Sequence, residues 1–427
     1  MTRTLRVIIL ILLIFYSFPV GEGEAAISNQ VTEDDARVNE LIGKMTPEEK
    51  VGQLFLVSFQ GREVSNDSEI ADLIANHHVG GVVLNLKNDN FTSLNTVAKA
   101  YSMISALQSI EWTYSVNNPE FASDTGKEPS NYIPMFIAIS QEGDSYPNDA
   151  IINGLSTMPS QLAIGATWDL ELAEGVGRVL GDELSAIGIN MLLGPSLDVF
   201  DLTYVEGEDD LGARTFGGDP YWVGELGKSY IRGVHLGSNN QIAVISKHFP
   251  GRGSSDRLPE NEVATVRKSL EQLKQVELAP FYAVTGNAVD SLTRTDGLLM
   301  SHIRYQGFQG NIRSTTKPVS FDQAAQDQLM SLPPLNTWRK SGGVVVSDNL
   351  GSLAVRKFFN PRGEGFDPRQ IARNALISGN DLLMMDLYVN TSDLDPYSTT
   401  LRVLEFFTQK YLEDQAFAQK VDQSLMR

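Results

Sequence analysis

Eight short runs rich in Val, Ile, Leu and Met recur along this chain, and the stretches between them are long enough to hold helices. They are Gln53–Phe59, Gly80–Leu86, Met135–Ile139, Ile189–Val199, Ile242–Phe249, Gly297–Ile303, Gly343–Ser347 and Asp381–Met385. Runs that are apolar throughout, rather than at alternate positions, belong to strands covered on both faces. A parallel sheet wrapped by crossover helices meets that demand. Eight such strands predict closure into a (β/α)8 barrel of the TIM type, built as a single large domain over residues 35–390. Helical patterns at Leu170–Ile187, Val266–Thr285 and Pro368–Ile377 suit the crossovers. An amphipathic segment, Val38–Met45, leads to Thr46-Pro47-Glu48-Glu49, which reads as an N-cap, a proline at the first helical position and an acidic first turn. The Asn-, Gly- and Asp-rich stretches Ile110–Tyr132 and Thr203–Gly218 are expected to be loop insertions. Residues 391–427 are expected to form a helical tail (Leu404–Met426), the point at which a further domain would begin.

At the N-terminus, Arg3 and Arg6 precede the apolar run Val7–Tyr16, followed by Pro19 and the small residues Gly23, Ala25 and Ala26. This is the pattern of a secretory signal over residues 1–26, with an uncleaved N-terminal anchor as the alternative. The run is shorter than the roughly 20 apolar residues of a permanent span. A secreted or extracytoplasmic protein is expected. The charge balance is 34 Lys+Arg against 53 Asp+Glu, a net −19, and it argues against nucleic acid as a partner, because phosphate-binding surfaces need clustered cations. With no Cys, thiolate metal sites, disulfides and thiol nucleophiles are excluded. There is no phosphate-binding Gly pattern followed by Lys-Ser/Thr, and no paired His at helical spacing, so no cofactor is implied. His77 and His78 are adjacent and point different ways, as surface or cap residues do.

In a barrel of this kind, chemistry sits just after the strands. Four runs end in suitable groups: Ser140-Gln141-Glu142-Gly143-Asp144, Asp198, Lys247-His248 with the following Phe249-Pro250-Gly251-Arg252-Gly253, and Asp348-Asn349. Each has a plain structural alternative, because a carboxylate after a strand commonly caps the next helix. Lys-His leaving a buried strand needs partners, and only the set as a whole has force.

That set resembles the N-terminal barrel domain of glycoside hydrolase family 3, and among its members the bacterial β-N-acetylhexosaminidases. The likeness rests on Met45-Thr46-Pro47-Glu48-Glu49-Lys50-Val51-Gly52-Gln53, Met158-Pro159-Ser160, Ala213-Arg214-Thr215-Phe216-Gly217-Gly218-Asp219-Pro220, Lys247-His248-Phe249-Pro250-Gly251 and Ser347-Asp348-Asn349-Leu350, in that order. The resemblance implies retaining hydrolysis of β-linked sugars, N-acetylglucosaminides among them. Asp348 would be the nucleophile that forms a covalent glycosyl-enzyme. Arg214, Lys247 and His248 would hydrogen-bond sugar hydroxyls, and Asp198 would orient Lys247 or Arg214. The partner is a carbohydrate.

Three departures stand out. Ser140 replaces the family's sugar-binding Asp, and Asp144 the second Gly of its motif. Arg252 stands in the Gly-His-Gly loop. The family's Asp-Ser-His triplet, whose His is the general acid/base, is absent from a shorter loop reading Ser254-Ser255-Asp256-Arg257-Leu258-Pro259. Asp256 or Glu260 could replace it, and Asp256 could equally pair with Arg252 or Arg257 and take no part in catalysis. His302 belongs to a different strand. The alternative function is a sugar-binding or scaffold protein that keeps the barrel without turnover.

Overall fold

Each predicted run does form a strand: β1 (Phe55–Val57), β2 (Gly81–Val83), β3 (Phe136–Ile139), β4 (Met191–Ser196), β5 (Ala243–Phe249), β6 (Gly297–Met300), β7 (Val344–Ser347) and β8 (Leu383–Met385). The computed structural model describes residues 36–91, 94–116, 132–143, 145–146, 149–201, 211–363, 365–386, 388–389 and 395–427. All eight strands pair in parallel, in chain order, with β8 also beside β1. The ring closes through a parallel bridge between Val346 and Leu382, where the Ser347 amide donates to the Leu382 carbonyl at 2.8 Å.

The chain divides into two units. The first, up to Lys44, shows a helix over residues 36–44 with a Lys44–Glu40 ion pair at 2.6 Å. The second begins at Met45 and holds the barrel.

Strand alternation sorts the core into two layers. Leu56, Val83, Ala138, Met191, Leu193, Ile245, Leu299, Val346 and Met384 fill the barrel's interior, with every strand contributing. Their neighbours Phe55, Ile137, Leu192, Val244, Leu298, Val345 and Leu383 face the surrounding helices. The same alternation, continued two residues toward the strand C-termini, brings Ser140, Lys247 and Asp348 to the barrel mouth. Sequence periodicity therefore positions the site before any loop is considered.

The predicted start at Thr46 is a capping box. The Glu49 amide donates to Thr46 Oγ1 (3.2 Å) and the Thr46 amide to Glu49 Oε2 (2.6 Å), opening helix Pro47–Gly52. Helices Leu170–Ala186 and Pro368–Ser378 stand where expected, capped by Asp169 and Asp367. His77 lies 3.5 Å from Asp72, and the His78 carbonyl accepts from Gln53, so both are surface and cap residues.

Three expectations need correction. Residues 110–116 complete helix Thr96–Val116, because Ile104, Leu107, Ile110 and Glu111 bury one face at helical spacing. Of that expected loop, residues 117–131 lie outside the described residues. The stretch Val266–Thr285 is not one helix. Thr265–Val266 pairs with Arg304–Tyr305 in a small ribbon, a Ser269–Gln272 capping box starts helix Leu270–Gln275, and Pro280 restarts the chain as Ala279–Val284. The C-terminal tail is two helices, Pro396–Glu413 and Gln415–Leu425, divided at Asp414. Phe407 packs edge-on against Phe55 of β1 at 5.0 Å and against Phe417 at 5.2 Å, so the tail joins the helical layer around β1. No helix of the described residues is long and apolar enough to cross a membrane.

Candidate active site

Four segments converge at the C-terminal ends of β3 to β5 and β7. After β3, Asp149 accepts the amides of Glu142 (2.9 Å), Gly143 (2.6 Å) and Ser145 (3.0 Å), folding the turn that points Glu142 inward. Asp144 lies outside the described residues. After β4, the segment bearing Arg214 is tied down by Thr215, whose hydroxyl donates to the Asp198 carbonyl at 2.6 Å. β5 delivers Lys247 and His248 in sequence, and its chain continues into the loop carrying Arg252 and Glu260. β7 ends at Ser347, whose hydroxyl oxygen accepts the Met384 amide of β8 at 3.0 Å, so Asp348 emerges from a braced strand.

Charges in this cluster pair across strands. Glu142, buried, forms ion pairs with Lys247 and, at 3.8 Å, with Arg214 Nε. Lys247 Nζ also lies 3.4 Å from Ser140 Oγ. Ser140 and Glu142, two residues apart, thus both lie against Lys247. Burial works to raise the Glu142 carboxyl, and Lys247 and Arg214 overcome it and hold the group below its ordinary value.

Asp198 is completely buried. It accepts from His248 Nδ1 (2.7 Å), the Arg252 amide (2.7 Å) and Ser196 Oγ (3.0 Å), and Arg252 Nε lies 3.7 Å away. Its partners are thus His248 and Arg252, not the expected Lys247 or Arg214, which go to Glu142. Burial alone would raise the Asp198 carboxyl, but His248 and Arg252 bring it to about 2. A carboxylate only accepts, so Nδ1 of His248 carries the hydrogen. Burial and the nearby Arg252 hold His248 below its ordinary value, which leaves a neutral ring with Nε2 as an acceptor.

Asp348 is partly exposed at the barrel mouth, and one oxygen accepts the Asn349 amide at 2.7 Å. Burial would raise this carboxyl as well. His302, His248, the Asn349 amide and Arg252 outweigh it, and the group stays ionised. His302 comes from the strand before, yet β6 and β7 are neighbours. Its Nε2–H donates to the Asn349 carbonyl at 3.1 Å while Nδ1 accepts from Ser320 at 2.8 Å. The order of strands in the ring was the signal that could have placed it beside Asp348.

Asp256 does not join the cluster. It accepts from the Thr265 amide (2.8 Å), Arg257 (3.2 Å) and Arg267 (3.3 Å). Against its partial burial, these donors hold it below its ordinary value. It is a strut for the loop, paired with Arg257 and not with Arg252. The carboxylate that turns inward is Glu260, whose Oε1 lies 2.6 Å from Arg252 Nη1 and 3.9 Å from Arg214 Nη2.

An ionised carboxylate on a braced strand, ringed by cations at the C-terminal mouth of a (β/α)8 barrel, places the molecule among barrels equipped for nucleophilic and acid–base chemistry. The chain belongs to glycosyl hydrolase family 3. The profile of its N-terminal domain matches residues 46–421. A β-hexosaminidase of Hydrogenovibrio crunogenus is 26% identical over 257 residues, 59% of this chain and 63% of that one. One from Xylella fastidiosa is 28% identical over 229 residues, 52% of this chain and 60% of the relative. Among solved structures, a family 3 β-N-acetylglucosaminidase from Paenibacillus sp. matches with a TM-score of 0.69 and 26% identity, covering 89% of this chain and 61% of that one. The β-N-acetylhexosaminidase of Beutenbergia cavernae shares the fold with a TM-score of 0.68 at 20% identity, over 90% of this chain and 97% of that one. The chain thus spans about three-fifths of the length of these two β-hexosaminidases and of the Paenibacillus enzyme.

Proposed function

We propose that this protein is an exported, retaining glycosidase that hydrolyses β-linked N-acetylhexosaminides. The observation that carries the reading is Asp348: an ionised carboxylate, braced by β7 and bonded to one backbone amide, faces the mouth with a second oxygen available for attack. A bound sugar would meet hydroxyl-binding groups around it, with Lys247 and Arg214 fixed by Glu142 and the His248 acceptor fixed by Asp198. Attack by Asp348 on the anomeric carbon would expel the aglycone and leave a glycosyl ester, which water then opens with overall retention. The hexosaminide specificity follows the relatives, which are β-hexosaminidases, and export follows the signal-like residues 1–26, which lie outside the described residues.

The test is a pair of aryl β-N-acetylglucosaminides with dinitrophenol and phenol as leaving groups, run on wild type and Asp348→Gly. Turnover of the dinitrophenyl substrate that vanishes in the variant supports the reading, because that leaving group needs no protonation. Silence of wild type toward both, with sugar binding intact by calorimetry, would favour a sugar-binding barrel without turnover. That second reading rests on Asp256 being occupied by Arg257 and Arg267.

A further inference from the structure

A retaining mechanism built on Asp348 needs a group that handles a proton twice, and the family's residue for this is absent from the loop after β5. In its place the loop is stapled down. Gly251 sits at φ +112°, and a Cβ at Gly253 would meet the Val199 carbonyl at 1.7 Å, so both positions demand glycine. Ser254 donates to the buried Glu277 at 2.5 Å, Lys268 reaches the same carboxylate at 2.5 Å, and Tyr305 donates to the Gly251 carbonyl at 2.6 Å. A turn over Leu258–Glu262, closed by the Asn261 amide on the Leu258 carbonyl at 3.2 Å, then folds Glu260 back over the cluster.

Within that fixed loop the two oxygens of Glu260 differ. Oε1 is taken by Arg252 at 2.6 Å. Oε2 is buried and has no hydrogen-bond partner among the described residues. A buried carboxylate oxygen left without a donor is costly in a folded protein, which makes it a place to look for a ligand or a proton. Arg252 also joins this group to Asp198, 3.7 Å from its Nε, and through that carboxylate to His248.

We infer that Glu260 is the base of the second half-reaction and that its Oε2 is the atom that takes the proton. The inference rests on the Asp348-centred reading above. In the step, water gives a proton to Glu260 Oε2 as its oxygen bonds to the anomeric carbon. The ester bond to Asp348 breaks, and its electron pair returns to the Asp348 carboxylate. The protonated Glu260 can pass that proton to the glycosidic oxygen of the next substrate or release it to solvent. The paired cations favour the ionised form: against burial, Arg252 and Arg214 hold Glu260 below its ordinary value. The group therefore begins the cycle ionised, the form that can accept a proton but not donate one, so the site favours glycosides whose leaving groups need little protonation.

The experiment uses the full chain and dinitrophenyl β-N-acetylglucosaminide, with wild type, Glu260→Ala and Glu260→Gln compared with and without azide. In both variants the steady rate should fall on the order of 10²–10⁴-fold. A stoichiometric burst of dinitrophenolate should remain, because the first step proceeds without an acid. Azide, a nucleophile that needs no base, should restore turnover of Glu260→Ala and give the β-glycosyl azide. Glu260→Gln preserves the shape of the side chain and serves if the Ala variant does not fold. Wild-type rates in either folded variant, or a loss with neither burst nor azide rescue, would overturn the inference. Failure of the Asp348 reading is distinguishable: wild type itself would then release no dinitrophenolate, and both would fall together.

Discussion

The two rims of the barrel spend their buried polar groups differently. At the N-terminal rim, side chains knit backbone. Asn190 accepts the Ile137 amide at 2.6 Å and donates to the Met135 carbonyl at 2.9 Å. Asp296 accepts the Val244 amide at 2.7 Å, and Asp381 accepts the Val345 amide at 2.8 Å while pairing with Arg339. At the C-terminal rim, Glu142, Asp198, Glu260, Lys247, His248, Arg214 and Arg252 pair mostly with one another, and Glu260 Oε2 and Ser301 Oγ have no partner among the described residues. Groups that bond backbone hold strands in register. Groups that bond each other around an open mouth are arranged for something that arrives later.

The contrast should break first at Asp348. Asp348→Gly should lower turnover of an activated glycoside by about 10⁴-fold or more, the scale of removing a nucleophile, with little change in urea unfolding. Next come two matched substitutions. Asp198→Asn and Asp381→Asn each strip a buried charge paired with an Arg and should each cost roughly 3–5 kcal/mol in urea unfolding. Only Asp198→Asn should also lower kcat/KM per folded molecule, because it alone holds His248 and Arg252. An equal loss of activity in Asp381→Asn would erase the distinction between rims.

Smaller effects appear in the pH dependence of stability. Asp198 is depressed to about 2 in the folded state, so its contribution is present above the ordinary value near 4 and is lost as pH falls through about 2. Urea titrations should show roughly 2 kcal/mol of acid sensitivity that Asp198→Asn removes. His235 of the N-terminal rim behaves in the opposite sense. Burial lowers it, but Asp296, 3.1 Å from Nε2, raises it overall. Its contribution is complete below about 6.5 and is lost as pH rises through the raised value. His235→Gln should flatten that limb, and an unchanged pH profile would contradict the pairing.

Much of this was legible in the residues. All eight strands followed from apolar runs, because a strand buried on both faces leaves a pattern that local sequence carries by itself. Lys247, His248 and Asp348 were visible as polar groups ending those runs. Partnerships were not visible, because they depend on which side chains meet across the ring. Asp198 was expected to serve Lys247 or Arg214; β4, whose register shifts between Leu193 and Ser196, leads instead to an Asp198 that pairs with His248 and Arg252. Glu142 takes Lys247 and Arg214 from strands and loops far along the chain, which pattern matching at a single site cannot see. The choice between Asp256 and Glu260 turned on the Leu258–Glu262 turn and on Arg267, a residue 11 positions from Asp256 that meets it only in the folded ribbon.

The claim that Asp348 is a nucleophile is tested most directly by trapping its ester. An N-acetylglucosaminyl fluoride bearing fluorine at carbon 5 loses fluoride without a proton donor, and its electronegative substituent slows hydrolysis of the intermediate, so the test does not depend on Glu260. Intact mass measurement followed by peptide mapping should find one sugar per chain, attached at Asp348, and none on Asp348→Gly. An unlabelled wild-type protein under saturating reagent, or a label on any other carboxylate, would contradict the account.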